Sequence, residues 1–261
     1  VLMVTGRPTD NYPWSELPAH LLLVQNWGFT DELSWNHPAW SISTELGAYL
    51  LFPFLVLALP LERWRVPALV AAIAGLAMAL YLYFAAQGLD RLVLDITRTG
   101  LVRCLIEFAM GILLARLWQE WRGRGGLPIV LAVLAMGMLG AGFVLGLAET
   151  AFVPMVFAAA LLALALAEGP MARLLGSVPL RWLGDVSYAT YLAHFFAFIL
   201  FKIAFVGPDG QLTGLQLSAF LALVLALSAL LYHGFELRAQ RWLNARVPQR
   251  IRPVRPLPAA R

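Results

Sequence analysis

The chain has 261 residues, 61% of them hydrophobic and 13% charged, about half the charge of an ordinary soluble domain. That balance excludes a soluble globular domain and predicts an all-α, polytopic transmembrane helical bundle. The net charge of +4 does not imply nucleic acid as a partner, because the arginines lie between apolar runs rather than in one stripe.

Taken in order, residues 1–37 are polar and punctuated by Gly6, Pro8, Asn11, Pro13 and Pro18. The first residue is Val1, with neither an initiator Met nor a signal-peptide pattern, so an upstream portion is expected. Within this segment 17–27 (LPAHLLLVQNW) is too short to span and predicts an interfacial or re-entrant helix. Seven apolar stretches follow, at about 39–59, 66–86, 100–119, 127–147, 151–168, 183–206 and 214–235. The expected organisation is an external polar segment over 1–37, a transmembrane domain over 38–244 and a solvated Arg/Pro-rich tail over 245–261. The single Cys104 lies in an apolar run and reads as packing. No CxxC, HExxH, GxGxxG or P-loop spacing occurs, so no metal site or bound cofactor is expected.

Basic residues orient the chain. Alternate loops and the tail collect 14 of them, Arg63, Arg65, Arg116, Arg122, Arg124, Arg173, Arg181 and the seven arginines after Glu236. The opposite side holds Arg7, Arg91, Arg98, Arg103 and Lys202. The excess predicts a cytoplasmic C-terminus in the inner (plasma) membrane, with residues 1–37 outside.

Three places carry polar groups inside the apolar stretches. Pro38 suits the first turn of the first spanning helix, and Trp40 suits a membrane interface. Ser41, Thr44, Glu45 and Ala48 then share one helical face. Glu45 lies about 10 Å along the helix from Pro38, at 1.5 Å per residue. A carboxylate at that depth is either a functional group facing protein or water, or a structural partner for an arginine on a neighbouring helix. Arg103 and Glu107, spaced i, i+4, either pair with each other or join Glu45 in an outward-facing polar cavity. Ser187, Tyr191 and His194 share a third face. His194 there is either a packed imidazole or a general base or substrate hydrogen-bonding group. His233 and Glu236, followed by Arg238 and Arg241, read as an anchor at the end of the last stretch.

The order of these motifs resembles acyltransferase family 3, the integral membrane acyltransferases that O-acylate sugars and some other acceptors. Trp40-Ser41-Ile42-Ser43-Thr44-Glu45, with Tyr49 and Pro53 after it, is similar to the family's Trp-Ser-Leu-Ser-Val-Glu motif. Gln25-Asn26-Trp27 resembles the short segment before it, and Arg103 to Gly111 resembles an Arg…Phe…Gly helix. Gly184 to Ser187-Tyr188, with Tyr191-Leu192 and His194, resembles the Gly-x-x-Ser-Tyr-x-x-Tyr-Leu-x-His helix, and Phe235-Glu236 the closing motif. Arg238 where Pro is usual, and Phe195-Phe196 after His194, depart from the pattern.

The resemblance implies ten core helices, of which these seven would be the last. The three before them would carry a base histidine and an arginine-rich motif, so the 261 residues alone are expected to be inactive. It implies transfer of an acyl group, commonly acetyl from acetyl-CoA or another acyl-CoA, to a hydroxyl of a cell-surface saccharide or lipid-linked glycan. Such O-acetylation is a polysaccharide modification carried out amid membrane lipid. Glu45 and His194 would be the catalytic candidates, with Trp40, Ser41, Arg103, Glu107 and Tyr191 contacting substrate. The competing class is a transporter or a non-catalytic binding protein, since buried ionisable groups also mark transport paths. No duplicated half or paired broken helices, the usual transporter signals, are visible.

Overall fold

The computed structural model describes residues 10–206 and 211–246. Arg7 and nearly all of the expected 245–261 tail lie outside these residues. Among the described residues there are helices and turns and no strands, which is the expected all-α class.

The helices are α1 (Leu17–Leu21), α2 (Trp40–Ala58), α3 (Val66–Ala85), α4 (Ile96–Trp121), α5 (Leu127–Val144), α6 (Glu149–Ala165), α7 (Gly169–Leu175), α8 (Val178–Phe205), α9 (Gly214–Leu231) and α10 (Leu237–Arg246). Each of the seven apolar stretches is therefore helical. Proline in the first turn starts α3, α5 and α7, where its missing N–H costs no helical bond. Three boundaries differ from the sequence reading. The 17–27 helix stops at Leu21, and Leu23 takes a positive φ of 57°. The fifth stretch ends in a bend of 100° between α6 and α7. The sixth begins at Val178 rather than 183, taking Arg181 into its first turns.

Among the described residues five helical stretches are long and apolar enough to cross a bilayer, or six if the bent α6–α7 pair is one span. Helix α4 differs. It is long enough, about 39 Å at 1.5 Å per residue. Yet every 18-residue window of it holds at least three of Arg98, Arg103, Glu107, Arg116 and Glu120. Four of these neutralise one another in i, i+4 pairs, Arg103 with Glu107 and Arg116 with Glu120.

The chain divides into two compact units, one up to Ser177 and one from Val178. In the first, α4 is the hub, packing against α2, α3 and α6. Leu69, Ile73 and Ala77 of α3, spaced by one turn, meet Met110, Leu113, Leu114 and Leu117 of α4 and Ala158 and Leu162 of α6. In lipid such contacts are held by close van der Waals packing rather than by exclusion of water. Helices α5 and α6 pair beside this core, with Phe152 lying flat on Gly142.

In the second unit α8 and α9 form a hairpin. Phe198 and Phe201 pack against Phe220, with ring centroids 5.4 and 5.5 Å away, and Phe205 packs against Phe201 at 5.0 Å. Thr213 and Gln216 close a capping box at the start of α9, and the Gln216 amide donates to the Phe205 carbonyl at 2.6 Å. A π-helical turn over Tyr232–Glu236 joins α9 to α10.

Candidate functional site

The site begins with a polar clamp where a helix was expected. Residues Gln25-Asn26-Trp27 lie across the first turns of α2 instead of continuing α1. The Asn26 backbone N–H donates to Ser43 Oγ at 3.0 Å, and the Trp27 indole donates to the Ser43 carbonyl at 2.8 Å. Gln25 donates to the Ala39 carbonyl at 3.1 Å. The Asn26 side chain, 1% exposed, reaches across to the Ile96 carbonyl at the start of α4. One short segment thus fixes the two helices at one end. The amide nitrogens of Gln25 and Asn26 are thus bonded, while Gln25 Oε1 and Asn26 Oδ1 are buried without a partner among the described residues.

Close approach of the helices depends on two glycines. A Cβ at Gly100 would meet Asn26 Nδ2 at 2.7 Å and the Trp40 ring at 3.2 Å, and one at Gly47 would meet Leu101 at 3.1 Å. Between the helices lies a cavity of about 300 Å³. From α2 it is lined by Trp40, Ser41, Thr44 and Glu45, and from α4 by Gly100, Arg103, Cys104, Glu107 and Phe108.

Most hydroxyls around this cavity are occupied by their own helix. Ser41 Oγ donates to the Pro38 carbonyl and Thr44 Oγ1 to the Ser41 carbonyl. Arg103 Nε donates to Glu107 Oε1 at 3.0 Å, and its Nη1 to the Leu92 carbonyl at 3.1 Å. Its side chain is 23% exposed and that of Glu107 is 36% exposed. Two of five guanidinium donors are engaged in these bonds. Glu45 accepts a hydrogen bond from the Tyr49 hydroxyl one turn on. Among the described residues the ion pairs are Arg98–Asp95, Arg103–Glu107 and Arg116–Glu120, so none holds Glu45. The partner arginine envisaged for Glu45 is not supplied from these residues.

Five of the sequence candidates, Trp40, Ser41, Glu45, Arg103 and Glu107, therefore line one cavity. Both readings of Arg103 and Glu107 hold together: they pair, and they face the cavity that Glu45 faces. Gly100 escaped the sequence reading, Phe108 entered it only as part of the Arg…Phe…Gly resemblance, and Cys104, read as packing, also lines the cavity. The signal was present, since 100, 103, 104, 107 and 108 follow the i, i+3, i+4, i+7, i+8 spacing of one helical face.

Tyr191 and His194 lie on α8, in the second unit. His194 Nδ1 is 2.7 Å from the Tyr191 carbonyl and 3.3 Å from that of Thr190. Carbonyls only accept, so Nδ1 is the donor in these contacts. The Tyr191 and His194 rings lie 5.8 Å apart. Ser187 Oγ donates to the Gly184 carbonyl at 2.7 Å, and Thr190 Oγ1 to the Val186 carbonyl at 3.0 Å.

A separate polar chain stands ahead of α2. Ser34 Oγ donates to Glu16, so it accepts from His20 Nε2, 2.9 Å away. Burial lowers the His20 pKa from its ordinary 6.5; Glu16 opposes that shift and His37 adds to it.

The family model described as "Acyltransferase domain" matches residues 2–233. Acyltransferase MdmB of Streptomyces mycarofaciens is similar, 32% identical over 198 residues, which cover 70% of this chain and 51% of that protein. The chain thus spans about half the length of this curated relative. No solved structure matches it.

Proposed function

The chain belongs to acyltransferase family 3, and from that premise we propose that it takes part in moving an acyl group from acyl-CoA to a hydroxyl of a cell-surface saccharide or lipid-linked glycan. The observation that carries this reading is the convergence of Trp40, Ser41 and Glu45 with Arg103 and Glu107 around one cavity. In the reaction the acceptor oxygen bonds to the thioester carbonyl carbon as the C–S bond breaks. The hydroxyl proton ends on the departing sulfur, giving an ester and free CoA. Glu45 accepts the hydrogen bond of the incoming hydroxyl and orients it, since its carboxylate is tied only at one oxygen by Tyr49. Arg103 supplies N–H donors for the thioester oxygen as negative charge develops there. Trp40 offers an aromatic wall for a sugar ring. Acetyl is the simplest acyl group compatible with this cavity.

We also place the Trp40 end of α2 on the outer side of the plasma (inner) membrane and the C-terminus in the cytoplasm, following the arginine distribution. Membranes from cells expressing the protein at its native locus test the whole reading. Incubated with acyl-labelled CoA esters, they should move label into a saccharide or glycolipid fraction, and deletion of the gene should abolish that transfer. Proton-coupled solute uptake with no label transfer would instead favour a transporter.

A further inference from the structure

The Arg103–Glu107 pair has a second side. It also borders a cavity of about 360 Å³ between α4 and α6, whose walls are otherwise apolar. Met110, Leu114, Val153, Phe157 and Leu161 dominate them. Met110 and Leu114 are buried, whereas Phe157 and Leu161 are exposed at its mouth. The ion pair therefore partitions a polar chamber holding Glu45 from an apolar one.

We propose that this apolar chamber holds the acyl chain of the donor, and that the preferred acyl group is longer than acetyl. The inference rests on the acyl-CoA reading above. A thioester carbonyl against Arg103 would leave its oxygen among the guanidinium donors and direct the chain along α4 towards Leu114. Acetyl, with one methyl group, would leave most of that volume unfilled. A cavity of about 150 Å³ lined by Leu, Ile and Phe takes the six carbons of one benzene, so this chamber of about 360 Å³ has room for an acyl chain of roughly eight carbons or more. An apolar wall continuous with a charged pair suits a molecule that is polar at one end and hydrocarbon at the other. A bilayer lipid tail would be served by the hydrocarbon wall but has no use for the ion pair at the inner end.

Gly111 provides the test. It lines the chamber, and a Cβ built on it meets nothing within 4 Å. Gly111→Val therefore adds bulk inside the chamber without striking the backbone. Leu161→Ala does the reverse, opening the wall at an exposed side chain. Acetyl-, butyryl-, hexanoyl- and octanoyl-CoA are titrated against the full chain in detergent, with Kd read by calorimetry, and the lipids retained by each variant are identified by native mass spectrometry. The expected result is affinity rising about fourfold per methylene, from about 0.8 kcal/mol per buried CH₂, from acetyl through octanoyl. Gly111→Val should lower the octanoyl-to-acetyl ratio at least tenfold, and Leu161→Ala should leave it high. Equal affinity for all four esters, unchanged by either variant, overturns the proposal and leaves the acyl-CoA reading intact. Absence of binding by any ester overturns both. A phospholipid retained by the wild type and lost from Gly111→Val assigns the chamber to lipid and overturns the proposal alone.

Discussion

Two helical faces in this molecule carry polar groups at membrane depth, and they use them differently. On α2 and α4, side chains from two helices converge. Glu45 and the Arg103–Glu107 pair share one cavity, held open by a clamp that arrives from a third segment. On α8 the polar atoms turn back onto their own backbone. Ser187, Thr190 and His194 each bond a carbonyl three or four residues earlier. A polar residue in lipid must be satisfied somewhere. On α2 and α4 the bonds of Ser41, Thr44, Glu45 and the Arg103–Glu107 pair also stay local, but the charged groups of the two helices face one cavity. Sequence spacing makes the two faces look alike, and what separates them is the charged helix that stands opposite.

The contrast predicts a graded response to substitution. Glu45→Gln keeps volume and polarity but removes the charge, so acyl transfer in native membranes should fall about a hundredfold or more at equal protein level. Unchanged turnover would make Glu45 structural and erase the distinction between the faces. Gly100→Ala should come next. Its Cβ collides with Asn26 and Trp40, so the clamp must shift, costing about 1–3 kcal/mol, read as a lower unfolding midpoint in detergent. His194→Gln should change turnover less than threefold. A tenfold loss at equal protein level, about 1.4 kcal/mol of transition-state stabilisation, would move proton transfer to His194. Ser187→Ala should be milder still, because the hydroxyl only supplements its own helix.

Outside the spanning helices, acid should loosen the His20–Ser34–Glu16 chain. The folded state lowers the His20 pKa, so the unfolded segment binds its proton more readily. The stabilising contribution is full above the unfolded value near 6.5 and is lost as pH falls through the lower folded value. Amide protection factors over 17–34, corrected for the intrinsic pH dependence of exchange, should therefore fall between pH 7.5 and 5.5 in the wild type. In His20→Gln that pH step should shrink, and an equal step in both proteins would count against the histidine.

How much of this was legible in the sequence depends on which physical signal was needed. Long apolar runs dictate helices, and all seven stretches are helical, although α4 is more charged than the rest and the fifth is bent. The Arg103–Glu107 pair of α4 was legible too, at i, i+4, whereas Arg116, read as a loop residue, lies inside α4 and pairs with Glu120. The polar cavity could be read from the spacing of α2 and α4, once Arg103 was taken as the centre of a face. The fate of 17–27 could not. Gln25, Asn26 and Trp27 find their partners at Ala39, Ser43 and Ile96, and those tertiary bonds outweigh continuation of a short helix. The apolar chamber was equally hidden. The residues that line it are the same types that face lipid, so hydropathy cannot tell a pocket wall from a bilayer-facing surface.

The clamp also has a bearing on the order of assembly. Asn26 is bonded to Ile96, 70 residues later, and Thr97 reaches back to the Asp31 carbonyl, 66 residues earlier. A nascent chain emerging at about 5–20 residues per second would present residues 25–31 several seconds before their partners at 96 and 97. During that interval α2 and α3 can insert, but the clamp cannot close. Closure must await the arrival of α4, the helix whose charges make it the least willing to enter lipid alone. The chamber around Glu45 is thus completed by a late, long-range step. Slowing the entry of α4 would delay the site far more than it would delay the helices that surround it.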